Sequence, residues 1–188
     1  MKVLLHICCA PCTIYPLRVL RAEGFEVMGF FSNPNIHPYQ EYLRRKNALE
    51  DYSQEVDLRI IYEKGYDLEG FLQNVVFREA NRCLYCYHSR LKAAVTVARR
   101  GRFNYFTTTL LYSKFQKHEV IRSVGEGLGK EYGLPFLYRD FRDGWKEGIA
   151  ISKELNMYRQ EYCGCIYSEK KRYFLASRKQ GPGLNHLK

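Results

Sequence analysis

No apolar run in this 188-residue chain comes near the roughly 18 residues of a membrane span, so a membrane-embedded helical protein is excluded. The opening run Val3-Leu4-Leu5 is too short for a signal peptide, and export is not expected. There is no internal repeat and no low-complexity tract. Seven cysteines, an odd number gathered in tight clusters, argue against a disulfide framework and for a reducing cytoplasmic setting in which thiols serve metal or redox chemistry. One further absence is local. The first strand-to-helix turn, His6-Ile7-Cys8-Cys9-Ala10-Pro11-Cys12, contains no glycine. In open α/β sheets that turn ordinarily cradles phosphate with glycines and backbone amides, so ATP is not expected there.

What is present fits one ordinary globular domain, with 46% hydrophobic and 27% charged residues and enough chain to bury about two thirds of its unfolded surface. Thirty Lys+Arg against twenty Asp+Glu give a net charge of +10, a field that gathers polyanions and makes nucleic acid a candidate partner. The plain alternative is that the charge only solvates helix faces. Sixteen Tyr and eleven Phe add rings suited to unstacked bases, although most will pack internally.

Apolar periodicity predicts strands at 2–7, 26–31, 58–62, 105–109 and 135–139. Helices are predicted at 12–23, 39–52, 84–100 and 117–132, with another after Asp67. In the strongest helix Leu84, Tyr87, Leu91, Ala94, Val95 and Ala98 form the apolar stripe. Strands separated by helices imply a mostly parallel five-stranded sheet with helices on both faces. After this α/β core (1–139) comes an extension (140–179), with a loop at 140–144 and helices at 149–155 and 168–179. Residues 180–188 read as a tail.

The cysteines fall in three groups: Cys8, Cys9 and Cys12; Cys83 and Cys86; Cys163 and Cys165. Thiols at the start of the first helix meet its positive N-terminal end, which favours thiolates. Cys83-Leu84-Tyr85-Cys86 puts two sulfurs on one helical face, and Gly164 permits a tight turn that lets Cys163 and Cys165 converge. Two Cys-x-x-Cys pairs alone would suffice for a structural zinc. Seven thiols exceed one tetrahedral ion. The division preferred here is four ligands for an iron–sulfur cluster and up to three for a second metal, with Cys8 and Cys9 projecting differently enough to serve different centres. His6, His37, His88, His118 and His186 are each weaker candidates. Asp140 and Asp143 flank Arg142, an arrangement that suits a loop-stabilising ion pair as readily as catalysis.

Together with the first Cys stretch, Asn33-Pro34-Asn35-Ile36, Arg82-Cys83-Leu84-Tyr85-Cys86-Tyr87, Thr107-Thr108-Thr109-Leu110, Asp140-Phe141-Arg142 and Tyr158-Arg159-Gln160-Glu161-Tyr162-Cys163-Gly164-Cys165 make the chain resemble the QueH-type epoxyqueuosine reductases over nearly its whole length. The resemblance implies removal of the epoxide oxygen from epoxyqueuosine at the wobble position of a tRNA anticodon. It also implies an iron–sulfur cluster without cobalamin. The implied fold is similar to the Rossmann-like (HUP-type) domain of ATP-dependent tRNA-modifying enzymes.

Epoxide to alkene consumes two electrons and two protons and releases water, whereas a cluster passes one electron at a time. On this basis we expect a 4Fe-4S cluster that relays electrons, from a donor not identified by sequence, to an additional mononuclear iron acting as Lewis acid on the epoxide oxygen. Asp140 is expected to protonate the departing oxygen. Asn33, Asn35 and His37 are expected at the modified base, with Arg142 or the basic terminal helix on phosphates. The rival readings are a zinc-containing tRNA-binding module, an ATP-dependent tRNA thiolase, which would need the missing phosphate loop, and a dithiol oxidoreductase, which would leave five cysteines idle.

Overall fold

The computed structural model describes residues 1–174. His186, the tail at 180–188 and the far end of the helix expected to reach Lys179 lie outside the described residues. Strand β1 (Lys2–His6) is central, with β2 (Glu26–Phe31) and then β3 (Ile60–Tyr62) on one side and β4 (Tyr105–Thr108) on the other, giving the order β3-β2-β1-β4. Every pairing is parallel. Val3, Leu4 and Leu5 are wholly buried, as a strand covered on both faces requires. The crossovers are α1 (Ala10–Ala22), α2 (Tyr39–Glu55) and the pair α3 (Leu68–Val75) and α4 (Arg82–Arg100), followed by α5 (His118–Tyr132). Helix α1 packs on β2, α2 and the later α6 (Trp145–Glu154), whereas α4 packs on β1, β4 and α5.

The sheet has four strands among the described residues, not the five expected. The stretch after α5 forms a single parallel bridge, Phe106 to Phe136, with Leu137 N donating to the Phe106 carbonyl at 2.8 Å. Pro135 contributes a carbonyl and no N–H, so the ladder stops after one rung. Leu84 is a second correction, because it is 51% exposed rather than part of the buried stripe. In the first turn of α4, Phe71 covers the Tyr85–Cys86 side and Cys83 packs on the main core, and Leu84 points away from both. Helix α6 begins a turn earlier than expected, and 140–144 contains a 3-10 turn at Arg142–Gly144. The last described helix, α7 (Ile166–Arg172), starts directly after Cys165.

Several boundaries follow from local chemistry. Pro11 sits in the first turn of α1, where its missing N–H costs nothing, and Gly24 at φ +82° lets the chain turn into β2. Asp67 caps α3 by accepting from Gly70 N at 2.9 Å. The main core runs through the sheet and both helix layers. A small satellite cluster of Phe71, Val75, Cys86 and Cys165 ties α3 and α4 to the Cys163-Gly164-Cys165 turn. No helix among the described residues is long and apolar enough to cross a membrane.

Candidate metal centre

The carboxyl end of β1 delivers Cys8 and Cys9, with Cys9 as N-cap of α1 and Cys12 in its first turn. Their sulfurs all lie within 4.8 Å of one another, and Cys8 and Cys9 Sγ are 3.7 Å apart. A tetrahedral ion with metal–sulfur bonds of about 2.3 Å has sulfur–sulfur edges of about 3.8 Å, so the trio fits a mononuclear centre. Thr109 Oγ1 donates to Cys8 Sγ at 3.3 Å and accepts from Cys8 N at 3.1 Å. Gln160 Nε2 lies 2.9 Å from Cys9 Sγ and 3.5 Å from Cys12 Sγ. The Cys12 and Cys9 thiols donate to Cys8 and hold its thiol well below the usual range, with Arg90 adding to the effect. Burial pushes Cys9 up, and Cys12 is raised first by giving its hydrogen bond to Cys8. Ionisation of the trio thus favours Cys8 over Cys9 and Cys12, and metal loading, which needs thiolates, would release protons.

The other four cysteines gather around α4 and the 163–165 turn. Cys86 and Cys165 are buried in the satellite core, Cys83 is half-buried and Cys163 is exposed. Burial pushes the Cys86 thiol up to about 12, against the pull of Arg90 and with Cys163 and Cys165 opposing its ionisation. Gln116 Nε2 donates to the Cys163 sulfur at 3.3 Å. Gly164 stands at φ +138°, a conformation L side chains rarely adopt. A Cβ there would meet Asn35 Nδ2 at 3.0 Å and Arg45 Nη1 at 3.3 Å. Glycine is thus what brings Cys163 and Cys165 to this place. Among the described residues the trio is the cysteine group whose sulfurs all lie within 4.8 Å of one another, and these four are not grouped that tightly.

Two arginines, buried to 2% and 1% exposure, join the groups, and composition gave no hint of them. Arg45 pairs with Glu41 at 2.7 Å and donates to the Cys163 and Tyr162 carbonyls at 3.0 and 2.9 Å, pinning the turn to α2. Tyr158 OH completes the buried network on Glu41. Arg90 has no carboxylate among its hydrogen-bond partners. It donates to Asn33 Oδ1 at 2.7 Å and to Cys86 Sγ at 3.5 Å, and its Nε is 3.3 Å from His6 Nε2. A buried cation without a carboxylate calls for another anion, and the side chain that offers one at hydrogen-bond distance is the cysteine Cys86. His6 is held near pKa 3, chiefly by burial and then by Arg90, so it is neutral. Its ring nitrogens lie 2.8 Å from Thr108 Oγ1 and 3.1 Å from the Ser32 carbonyl.

A cavity of about 560 Å³ opens over the trio, lined among others by Cys8, Cys12, Cys163, Arg90, Tyr112 and Trp145, with Arg159, Lys171 and Arg172 also on its wall. Gln160 also lines it, and its buried Oε1 has no partner.

The other expected site residues stand elsewhere. Asn33, Asn35 and His37 are buried beneath the metal region. Asn33 bridges Ile7 O at 2.9 Å and Arg90. His37 Nε2 donates to Pro34 O at 3.0 Å, while its Nδ1 accepts from Ile166 N at 3.4 Å. Asn35 Oδ1 is left without a partner. Asp140 and Arg142 form an exposed ion pair that is not among the lining residues of this cavity. Arg142 lies in a separate shallow hollow with Lys114, Asp143, Trp145 and Lys146. Arg90 was detectable in principle as an arginine at i+4 from Cys86 inside an apolar stripe. Arg45 with Glu41 at i−4 reads like a surface pair, and only burial distinguishes it.

Two solved structures share the fold. A predicted subunit of a tRNA methyltransferase from Methanocaldococcus jannaschii superposes with a TM-score of 0.58 at 12% identity, covering 95% of this chain and 88% of that one. The U34-tRNA thiolase NcsA from Methanococcus maripaludis, with its [4Fe-4S] cluster, gives 0.58 at 12% identity, covering 97% and 68%. Relatives in sequence are more specific. The epoxyqueuosine reductase QueH of Dehalococcoides mccartyi is 38% identical over 172 residues, covering 92% of this chain and 94% of the relative. That of Thermotoga maritima is 32% identical over 192 residues, covering 95% and 97%. The family model of epoxyqueuosine reductase QueH matches residues 3–171, through all three cysteine groups. The chain is therefore an oxidoreductase that belongs to the epoxyqueuosine reductase QueH family.

Proposed function

We propose that this protein removes the epoxide oxygen of epoxyqueuosine in the anticodon of a cytoplasmic tRNA, forming the alkene of queuosine at the wobble position. The balance is two electrons and two protons in, one water out, with the electrons drawn from an external donor. The observation that carries the metal assignment is the buried Arg90, which has thiols rather than carboxylates around it and sits between Cys86 and Cys8. Cys83, Cys86, Cys163 and Cys165 would hold a 4Fe-4S cluster, and Cys8, Cys9 and Cys12 a mononuclear iron. Bound there, the cluster would supply single electrons and the iron a Lewis acid for the epoxide oxygen.

The chain's own groups have separable tasks. Arg90 and Arg45 offset the negative charge of the thiolates, and Arg45 also fixes the turn that carries two of them. Gln160 and Thr109 give hydrogen bonds to the trio's sulfurs, which steadies them as anions. With its nitrogen turned to acceptor sulfurs, Gln160 leaves Oε1 buried and without a partner in the cavity wall. The rim cations Arg159, Lys171 and Arg172 favour a polyanionic substrate. Asp140 is assigned here to holding Arg142 rather than to proton delivery.

Anaerobic reconstitution with iron and sulfide tests this reading. Loaded protein should convert epoxyqueuosine in tRNA to queuosine, read as loss of one oxygen in the mass of the released nucleoside. Conversion by colourless, zinc-only protein refutes it.

A further inference from the structure

Two phenylalanines of the described surface stand almost bare, Phe77 at 94% exposure and Phe115, and of the two Phe115 is the one beside the metal cavity. Phe115 is 85% exposed, yet it stands on the wall of the metal cavity. Its ring is 5.7 Å from Trp145 and nearly perpendicular to it. Trp145 in turn lies 5.2 Å from Tyr112, which reaches inward beside Cys12. The three rings make a ledge running from the cavity mouth towards the thiols. Trp145 also borders the shallow hollow that holds Lys114, Arg142 and Lys146, so cations lie directly behind the ledge. Asp140 grips Arg142 through Nε and Nη2, with Nε to Oδ1 at 2.8 Å, and leaves Nη1 outside the pair. Lys114 and Lys146 form no ion pair among the described residues.

We infer that this ledge and hollow are the track for the RNA strand next to the reacting nucleotide. The inference rests on the proposed function. A base that reacts inside the cavity must leave its stack, which uncovers one face of its neighbour. Phe115 replaces the lost partner by stacking on that bare face, a contact that tolerates any base. Lys114, Lys146 and the outer edge of Arg142 take the adjoining phosphates, which sets the register of the strand without reading sequence. An exposed ring beside unpaired cations is the arrangement expected for unstacked single strand. A regular duplex offers no base face for Phe115 to cover.

The experiment measures binding of an anticodon stem-loop RNA and of a fully paired hairpin of equal charge. It uses wild-type protein, Phe115→Ala, Phe115→Trp and the double variant Lys114→Ala/Lys146→Ala. Phe115→Ala should weaken binding to the loop roughly 5- to 100-fold and leave the hairpin unaffected, and Phe115→Trp should restore it. The lysine pair should weaken both RNAs and lower the slope of log affinity against log salt by about 1.4, two single-strand phosphate contacts. Binding needs no turnover, so a protein that fails to reduce the epoxide still answers this question. Wild-type loop binding by Phe115→Ala overturns the inference. So does equal loss on loop and hairpin, or failure of Phe115→Trp to recover binding.

Discussion

Replacing Arg90 with Met should act with different force on the metal-free and the metal-loaded protein. Its guanidinium is 1% exposed. At 3.5 Å from Cys86 Sγ, with an effective dielectric of about 20, its gross attraction for a thiolate there is about 5 kcal/mol. In the metal-free protein burial holds Cys86 protonated, with its pKa pushed up to about 12, so that attraction is missing at neutral pH. The variant then loses the 2.7 Å bond to Asn33, about 1–3 kcal/mol for the orphaned acceptor, with the contact to His6 and the pull on Cys8, offset by no longer burying a cation. In the loaded protein Cys86 is a thiolate, and removing its partner leaves buried charge uncompensated, at about 3–5 kcal/mol. The assay is urea unfolding of wild type and variant, each metal-free and anaerobically reconstituted, with iron retention against a chelator read in parallel. The variant should be close to wild type without metal and clearly weakened with it. Equal destabilisation in both states, or unchanged iron retention, refutes Arg90 as counter-charge to the thiolates.

The division of the cysteines predicts that Cys9→Ser lowers bound iron without lowering acid-labile sulfide, whereas Cys86→Ser lowers both; iron and sulfide analysis of reconstituted protein reads the difference. Gly164→Ala should cost about 1–3 kcal/mol, because φ +138° is strained for any side chain, and should lower sulfide content along with the urea midpoint. Gln160→Leu should move the reduction potential of the trio's metal to more negative values, seen by spectroscopic titration, as hydrogen bonds to Cys9 and Cys12 are lost. Asp140→Asn should keep turnover at saturating RNA while weakening RNA binding through a loosened Arg142; collapse of turnover instead would restore that carboxylate as the proton donor.

Much of the α/β core was legible in the sequence because its signals are local. The run Val3-Leu4-Leu5, the stop at Gly24 and the stripe from Tyr87 to Ala98 each declare an element within a few residues. The fifth strand failed because a ladder grows only where the strand's own residues can donate across it, and Pro135 has no N–H to give. Leu84 failed because periodicity describes a face and not what covers it. The loop residues Asn33 and His37 were expected at the modified base, and their side chains hydrogen-bond to Ile7, Arg90, Pro34 and Ile166, partners that no local pattern announces.

By itself the sequence determined the chemistry on offer: seven thiols, no phosphate-binding glycines and a basic, aromatic chain. Residue types and short spacings carry that information without the fold. Only the tertiary structure placed the thiols, three together at the end of β1 and four about α4 and the Gly164 turn, with Arg90 against Cys86. It also paired Asp140 with Arg142 and left Phe115 bare at the cavity mouth. Those outcomes depend on separations of tens of residues along the chain and a few ångströms in space, and no local pattern encodes them.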